Sequence, residues 1–427
     1  MQPVLPPVLL TSEPGSFAQR TFQTRVPRIV DDLITSSDYP PQIATALCAL
    51  RAEIVGGTLQ LIREESDDQE FWNAQAREHL GKTWLELPWY WAEAFFYRRV
   101  LEATHYFQKG DYYCRDPFAL AKRVELQPER APRAVAAALA QLPTDTTHAF
   151  HALVQASLWG NRADLSMLEL IKATSTDTSL LLVDDRARVW AFVEQRHSHN
   201  QATFQSEREQ TVPVTKSLPT RAARAAPLPR VDIICDNAGT ELCFDLALVD
   251  FLLRANLAAE MILHLKPQPT FVSDAMIQDA LASLDAFGKS DTPALRQLAQ
   301  RLACALDVGR LVLSDHPFWV TGLFFHELPN DLRATLAQAS LVISKGDANY
   351  RRLIGDCHWE PTARFADAVA HFPAPIVALR TMKAELIVGL CAGAAERLRA
   401  EDAEWLVNGT HGIIQFAVST SEEGLNR

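Results

Sequence analysis

The second half of the chain alternates short apolar runs, rich in β-branched residues, with longer segments of helical period. Each run has the length of a buried strand, and strands that alternate with helices predict βαβ units. The predicted fold class of this half is α/β, with a mostly parallel sheet and helices on both faces in three α/β/α layers. The predicted strands are Val231–Cys235, Met261–Leu265, Arg310–Leu313, Leu341–Ser344, Ile376–Leu379 and Ile413–Val418.

The first half has a different pattern, because its apolar residues recur every three or four positions, as on one face of a helix. We therefore expect a mostly helical N-terminal domain, with one further strand at Leu180–Val183. The Pro-rich opening through Pro14 is expected to be loosely ordered. The predicted helices are Gln42–Ile54, Asp67–Leu80, Trp91–Phe107, Pro132–Leu142 and Ala149–Leu158.

A polar, proline-bearing segment from His197 to Arg230 separates the two halves and is poor in large apolar residues. Such a composition cannot build a packed core, so we expect an exposed linker or insertion. The predicted organisation is a helical domain over residues 1–196, a linker over 197–230 and an α/β domain over 231–427.

Polar side chains follow the predicted strands. Because the carboxyl ends of parallel strands meet at one edge of a sheet, where open α/β sheets bind their ligands, we expect these side chains to lie together. Acids there could hold a cation, and bases could hold an anion. The residues are Asp236 and Asn237 after the first predicted strand, Lys266 and Asp274 after the second, Lys345 and Asp347 after the fourth, and Arg380 and Lys383 after the fifth.

The turn from Asp236 to Glu241 contains carboxylates and an amide but no thiolate or imidazole. Hard cations such as Mg²⁺ and Mn²⁺ prefer these oxygen ligands. Gly239 would allow a sharp turn, and Glu241 would stand at a helix N-terminus, where the helix dipole favours a carboxylate. The same residues could instead be ordinary helix caps, so the turn alone leaves both interpretations open.

The turn from Lys345 to Arg351 adds a base to the same pattern. A lysine on a Gly-containing turn can reach a phosphate oxygen while the N–H groups of the turn face the same anion. The alternative is a surface loop in which Asp347 caps a helix. In the first half, Asn161 and Asp164 could form a wall of the cleft, or they could end one helix and cap the next.

The composition narrows the range of partners. A formal net charge of −11 argues against a general nucleic-acid or anionic-membrane binder, since both need a basic surface. No apolar run approaches the roughly 20 residues that span a bilayer. Seven cysteines without a CxxC pair fit a reducing compartment. We therefore expect a cytoplasmic protein that acts on a small molecule, with no nucleic-acid or membrane partner.

Six segments of this sequence, taken in order, resemble the DUF89 damage-control phosphatase family. The similarity is greatest to its branch marked by an RTxK motif, which includes acidic-residue methyltransferase-like proteins, and it extends from about Arg28 to Phe416. The segments are PWYWAEAFFYRR at Pro88–Arg99, LWGNRADLS at Leu158–Ser166, DNAGTEL at Asp236–Leu242, FVSD at Phe271–Asp274, KGDANYRRLIGD at Lys345–Asp356 and RTMK at Arg380–Lys383.

The resemblance implies a metal-dependent hydrolase of phosphate esters such as fructose 1-phosphate or fructose 6-phosphate. It implies that Asp236, Asn237 and Asp274 bind a divalent metal, Mn²⁺ or Mg²⁺, with Ni²⁺ or Co²⁺ as further options. Together with these ligands, Lys345, Asp347 and Lys383 form the expected catalytic set. The expected substrate-binding residues are Glu241, Asp347, Ala348, Asn349, Tyr350, Arg351, Arg380, Lys383, Asn161 and Asp164.

Two other functions remain as alternatives. An S-adenosylmethionine-dependent protein carboxyl methyltransferase has also been attached to this branch, although the sequence has no GxGxG-type loop after an early strand. A non-catalytic sugar-phosphate-binding protein would keep the lysines but would have less need of three metal oxygens. For the phosphatase, the sequence leaves open whether Asp347 or Glu241 would orient the attacking water.

Overall fold

The structure is a computed structural model that describes residues 5–36, 38–160, 180–196 and 229–418. Its described residues include a seven-stranded sheet in the order β1-β7-β6-β5-β2-β3-β4. The strands are β1 (Leu181–Asp184), β2 (Arg230–Ile234), β3 (Glu260–Leu265), β4 (Leu311–Asp315), β5 (Leu341–Lys345), β6 (Ile376–Thr381) and β7 (Gly412–Ala417).

Five adjacent strands, β2 to β6, pair in parallel, as the alternating pattern predicted. At one edge, β7 runs antiparallel to β6, and β1 pairs in parallel with β7. Strands β2 and β5 are neighbours in the sheet. From β2 the chain continues outward to β3 and β4 on one side, and from β5 it continues outward to β6 and β7 on the other side. The carboxyl ends of β2 and β5 therefore form the crevice at which such sheets bind ligands.

Helices cover both faces of this sheet, which confirms the predicted fold class. A π-helical turn, Thr21–Arg25, joins the first two helices. The helices are α1 (Phe17–Arg20), α2 (Val26–Ser36), α3 (Pro41–Gly56), α4 (Gln69–Ala76), α5 (Trp89–Ala103), α6 (Ala119–Glu125), α7 (Ala131–Ala140), α8 (Thr146–Trp159), α9 (186–196), α10 (Thr240–Arg254), α11 (Ile277–Gly288), α12 (Pro293–Asp307), α13 (Asn330–Leu336), α14 (Gly346–Ile354), α15 (Phe365–Ala368) and α16 (Ala394–Glu401).

Two hydrophobic cores lie on opposite faces of the sheet, because successive side chains of a strand point to opposite sides. In β5, Val342 belongs to one core and Ile343 to the other. The first core also contains residues of α2, α3 and α5, and the second contains residues of α7 and α8. Both cores thus combine the two halves of the chain, so the predicted boundary between residues 196 and 231 does not separate two cores.

The structure corrects one expectation about the N-terminal segment. Residues before Pro14 are fastened to the rest of the protein, because Val8 and Leu10 form β-bridges with Cys357 and Pro88, and because Leu9 is buried.

The predicted linker, residues 197–230, is described only at its C-terminal end. Arg230 is part of β2, while residues 197–228 lie outside the described part of the chain. Within the described ranges, the protein has no helix that is both long and apolar enough to cross a membrane.

Candidate functional site

The turn after β2 gathers three predicted site residues through the amide of Asn237. Its Nδ2 donates to Asp236 Oδ2 at 2.7 Å and to Glu241 Oε2 at 2.9 Å, while its Oδ1 accepts a hydrogen bond from Ser273 Oγ. Gly239 has a φ of +73° and precedes the first residue of α10. This left-handed conformation favours glycine and allows the chain to turn directly from the strand into the helix.

The loop that carries Asp274 is fastened to the same turn. Asn237 and Asp274 form a β-bridge, and the N–H of Ala275 donates to the carbonyl of Asp236 at 2.8 Å. Phe271 and Val272 have φ values of +46° and +65°, a left-handed conformation that costs energy for residues with a Cβ. The Phe271 ring packs on Tyr90 and Tyr97 of α5, with ring centroids 5.8 and 5.0 Å apart. Aromatic packing thus helps to hold the strained loop against the sheet edge.

The buried carboxylates of this site repel one another. Burial and the nearby charges of Glu241 and Asp274 raise the pKa of Asp236 well above its ordinary value. Burial also raises the pKa of Asp274 to about 6, against the opposing effect of Lys266, whose Nζ lies 3.5 Å from Asp274 Oδ2. Asp274 Oδ2 has no hydrogen-bond partner among the described residues. A divalent cation would satisfy this oxygen and stabilise the ionised carboxylates, so the donor set fits a hard metal.

The amide is needed to complete that donor set. No group of three or more His, Cys, Asp or Glu side chains arranged to hold a metal is present in the part of the chain that the structure describes. Two carboxylates, Asp236 and Asp274, would therefore need the oxygen of Asn237 as a third ligand. This oxygen accepts one hydrogen bond, from Ser273 Oγ, and its second lone pair would be available to a metal.

Lys345 does not have the environment expected of a phosphate ligand. Its fully buried ammonium donates to the carbonyl of Ser157 at 2.8 Å and lies 2.8 Å from Asp245 Oδ1 and 2.9 Å from Glu241 Oε1. Because an ammonium has three donors, these three acceptors satisfy it completely. The prediction that Lys345 contacts phosphate disagrees with this geometry. The residue instead joins β5, α8 and α10 beneath the site.

Lys383 has the environment of a phosphate ligand, which had been predicted for both Lys345 and Lys383. Its side chain is partly exposed, and its ammonium has no hydrogen bond or ion pair to the described residues. It is nevertheless close enough to Asp236 to lower the pKa of that carboxyl. The backbone N–H of Lys383 donates to Asp347 Oδ1 at 3.1 Å, and Arg380 Nε donates to the same oxygen at 2.7 Å. Asp347 therefore holds the loop that carries Lys383.

Three other predicted substrate-binding residues form hydrogen bonds and ion pairs with other residues of the protein. Tyr350 donates its hydroxyl to Gln415 Oε1 at 2.9 Å. Arg351 pairs with Asp356 at 2.7 and 3.0 Å and with Glu93 of α5. Arg380 donates to the carbonyls of Leu386 and Ala384 and stacks over the Tyr350 ring, in addition to its bond to Asp347. Direct contact of these side chains with a substrate disagrees with their burial and their partners.

Two further predicted substrate-binding residues, Asn349 and Ala348, contact the strand ends and the first hydrophobic core. The amide of Asn349 donates to the carbonyls of Cys235 and Lys345, so it ties the ends of β2 and β5 together. Asn349 Oδ1 is buried and has no hydrogen-bond partner among the described residues. Ala348 packs against the first hydrophobic core. Asn161 and Asp164 lie outside the described residues, although the neighbouring Gly160 is so near α10 that a Cβ there would lie 2.8 Å from Glu241 Cα.

Helix α6 contributes residues that sequence reasoning did not select. Lys122 donates to the carbonyl of Asp274 at 2.8 Å and pairs with Asp116 and Asp279 at 3.0 Å each. Glu125 accepts a bond from Thr240 Oγ1 at 2.7 Å and contacts the turn at Gly239. The N-terminal half thus supports both loops of the site. Neither residue lies in a recognisable motif, so only its contacts identify it.

Comparisons with known proteins identify relatives of this chain. Residues 21–398 match the family described as the damage-control phosphatase ARMT1-like domain. The chain is 30% identical to damage-control phosphatase ARMT1 of Danio rerio, over 98% of this chain and 99% of that protein. It is also 30% identical to the Homo sapiens protein of that name, over 97% and 99% of the two chains. A solved structure of a DUF89 family protein from Pyrococcus horikoshii is similar with a TM-score of 0.48 and 15% identity, over 93% and 97% of the two chains. The chain belongs to the damage-control phosphatase ARMT1-like family, as its motifs predicted.

Proposed function

We propose that this protein is a metal-dependent phosphatase that hydrolyses small phosphorylated metabolites, with sugar phosphates such as fructose 1-phosphate and fructose 6-phosphate as its substrate class. The relatives named above are called damage-control phosphatases. The observation that carries the proposal is the placement of Lys383, whose ammonium has no hydrogen bond or ion pair to the described residues, at the sheet edge that holds the buried carboxylate of Asp236. The backbone N–H of Lys383 is bonded to Asp347, and the adjacent Gly346 lies against Asp236. A cation and acidic metal ligands at one crevice are what a phosphate ester requires.

The metal would be held by Asp236, Asn237 and Asp274. Mn²⁺ and Mg²⁺ suit these oxygen donors best, and Ni²⁺ or Co²⁺ could also be accepted. When bound, the cation would supply positive charge to the oxygens of the transferring phosphoryl group. It would also remove the repulsion among the buried carboxylates, which gives this site a strong preference for the metal-bound form.

The remaining chemistry is assigned to Lys383, in the loop that follows β6, and to Asp347 of α14. Lys383 would donate to a phosphate oxygen, because its ammonium makes no hydrogen bond or ion pair within the described part of the protein. Asp347 would position this lysine through the 3.1 Å bond to its backbone N–H. Both hydrogen bonds to Asp347 fall on Oδ1, so Oδ2 would remain to orient the attacking water. Glu241 suits that role less well, since Lys345 and Asn237 engage both of its oxygens.

A phosphate-release assay tests the proposal. The full chain is freed of metal with a chelator, and inorganic phosphate is measured with each sugar phosphate after addition of Mn²⁺, Mg²⁺, Co²⁺ or Ni²⁺. Metal-dependent turnover of at least one sugar phosphate is expected. Binding without turnover would favour the sugar-phosphate-binding alternative, and methyl transfer from S-adenosylmethionine to protein carboxylates in a parallel assay would favour the methyltransferase. Equal turnover without any metal would contradict the metal site.

A further inference from the structure

A second cavity lies in the N-terminal half, between α3, the segment that follows it and the carboxyl-terminal end of α5. Its volume is about 880 Å³, which is within the range of small-molecule sites. None of the residues of the candidate phosphatase site lines it. One wall is made of small residues, which leave room for a ligand. These small residues are Ala46, Ala49, Ala52, Gly56 and Gly57.

Two carboxylates of the cavity wall, those of Glu53 and Glu102, already have hydrogen-bond partners within the protein. Glu53 pairs with Arg99 at 3.1 Å and accepts bonds from the N–H of Gln60 and from Trp84 Nε1. Glu102 accepts bonds from two backbone N–H groups and from Arg99 Nε. All three nitrogens of Arg99 are thereby engaged, and both of its ion-pair partners are carboxylates of the protein, so it is not a free anion-binding group.

Glu64 is different, because neither of its side-chain oxygens has a hydrogen-bond partner among the described residues. Its side chain is only 3% exposed, and it lines the cavity. Arg98 Nη1 is 3.7 Å from Glu64 Oε2, too far for a hydrogen bond, because the guanidinium is directed to Asp68 and Ser66. A buried acceptor without a donor costs folding free energy. Arg98 Nη1 is also without a hydrogen-bond partner among the described residues, so the pair leaves a gap between a buried donor and a buried acceptor. A ligand that satisfies Glu64 would be a hydrogen-bond donor.

We propose that this cavity binds a small molecule that carries a primary ammonium group, with Glu64 as its anchor. An ammonium supplies three donors and a positive charge, so it could bond to both Glu64 oxygens, which Arg98 approaches only to 3.7 Å. The wall of alanines and glycines would receive a short apolar body attached to the amine. An anionic ligand is disfavoured at this point of the cavity, because the oxygens of Glu64 have no hydrogen-bond donor among the described residues and Arg99 is already engaged by Glu53 and Glu102.

The ionisation of Glu64 makes this inference testable by pH. Burial raises the pKa of Glu64 to about 7, with Glu102 and Asp68 acting in the same direction and Arg98 and Gln108 in the opposite one. The ammonium binds the ionised carboxylate. Affinity should therefore be low at pH 5.5 and should rise through pH 7 to a plateau near pH 8.

Benzylamine is a suitable probe, since its ammonium stays protonated over this range, and benzyl alcohol is its neutral counterpart. Binding to the full chain is measured by calorimetry or ligand-observed NMR. We expect benzylamine to bind at least tenfold more tightly than benzyl alcohol at pH 8. The substitution Glu64→Gln should lower its affinity at least tenfold. Glu65→Gln removes the same charge from the adjacent exposed residue, which is not part of this cavity, and should leave binding unchanged.

Three results would overturn the proposal. They are the absence of benzylamine binding at millimolar concentration, equal binding of amine and alcohol, and unchanged affinity in Glu64→Gln. The pH series on the wild-type chain remains decisive if that variant folds poorly, because binding that does not strengthen between pH 5.5 and 8 also contradicts a role for Glu64. The readout is binding without any phosphate ester, so its outcome does not depend on the proposed phosphatase function.

Discussion

Gly346 and Asp236 are packed so closely that a Cβ atom at position 346 would overlap the carboxylate of Asp236. Gly346 also has a φ of +82°, a conformation that favours glycine. The first residue of α14 therefore has no side chain because the candidate metal ligand at the end of β2 occupies that space. The two neighbouring strands β2 and β5 meet at this contact, which links the fold directly to the site.

Gly346→Ala should displace Asp236 and strain the backbone. We expect metal-dependent phosphatase activity to fall at least tenfold and the free energy of unfolding to fall by about 1 kcal/mol or more. Gly288→Ala is the matched control, because a Cβ at that helix end would contact nothing within 4 Å. Steady-state kinetics and thermal unfolding check both variants. Normal activity in Gly346→Ala would show that Asp236 is not held in place by this contact.

Asp236→Ala should abolish metal binding and leave the protein folded. The change removes one of two carboxylates from the proposed ligand set, and it also removes a buried charge that repels Glu241 and Asp274. Calorimetric titration with Mn²⁺ measures the binding, and circular dichroism monitors the fold. Retention of wild-type Mn²⁺ affinity by a folded variant would remove Asp236 from the metal site.

Lys383→Met should impair catalysis without affecting stability. The variant keeps the aliphatic stem and removes a charge that makes no ion pair with the described residues. A charge-assisted bond to phosphate contributes about 1.5–3 kcal/mol, so kcat/KM on a sugar phosphate should fall at least roughly tenfold while Tm changes little. Lys289→Met, which changes an exposed lysine of the surface pair with Asp285, is the control. Unchanged kcat/KM in Lys383→Met would exclude this lysine from the site.

Lys345→Met should have the opposite effect, a large loss of stability. It would leave the buried carboxylates of Glu241 and Asp245 without their cation, and breaking a buried pair in this way costs about 3–5 kcal/mol. Denaturant unfolding measures this loss, and the activity of the remaining folded fraction can be assayed separately. A stable Lys345→Met variant that has lost only phosphate binding would restore the role first predicted for this lysine.

Glu64→Gln should stabilise the protein at high pH and have no effect at low pH. The folded-state pKa of Glu64 is about 7 and its ordinary value is 4.5. The neutral form is therefore favoured by folding, and this contribution is present below pH 4.5 and is lost as pH rises through 7. Glutamine stays neutral, so its advantage should grow from pH 4.5 to 7 and reach up to about 3 kcal/mol at pH 8.

The free energy of unfolding of wild type and Glu64→Gln, measured at pH 4.5, 6 and 8, checks the direction of this stability change. Glu65→Gln is the exposed control. A Glu64→Gln variant that is less stable than wild type at pH 8 would mean that the charged form is satisfied in the native state. That outcome would also weaken the ammonium site.

The elements of this fold could largely be predicted from the sequence, because hydrophobic periodicity is a local property. The strand predicted at Leu341–Ser344 is β5, and the helix predicted at Gln42–Ile54 is α3. The convergence of Asp236 and Lys383 on one edge could also be anticipated, since both follow parallel strands. The family was recognisable for the same reason, as its motifs are contiguous stretches of a few residues.

Only the tertiary structure decided what each polar residue contacts. Lys345 and Lys383 both follow strands and both appeared suited to phosphate, yet one is saturated by Glu241, Asp245 and Ser157 and the other is not engaged by the described residues. Arg351 was predicted to bind substrate, but it pairs with Glu93, 258 positions earlier in the chain. Side-chain period and strand ends are set by neighbours in sequence. The partner and burial of a charge depend on contacts between distant segments, and no local pattern records them.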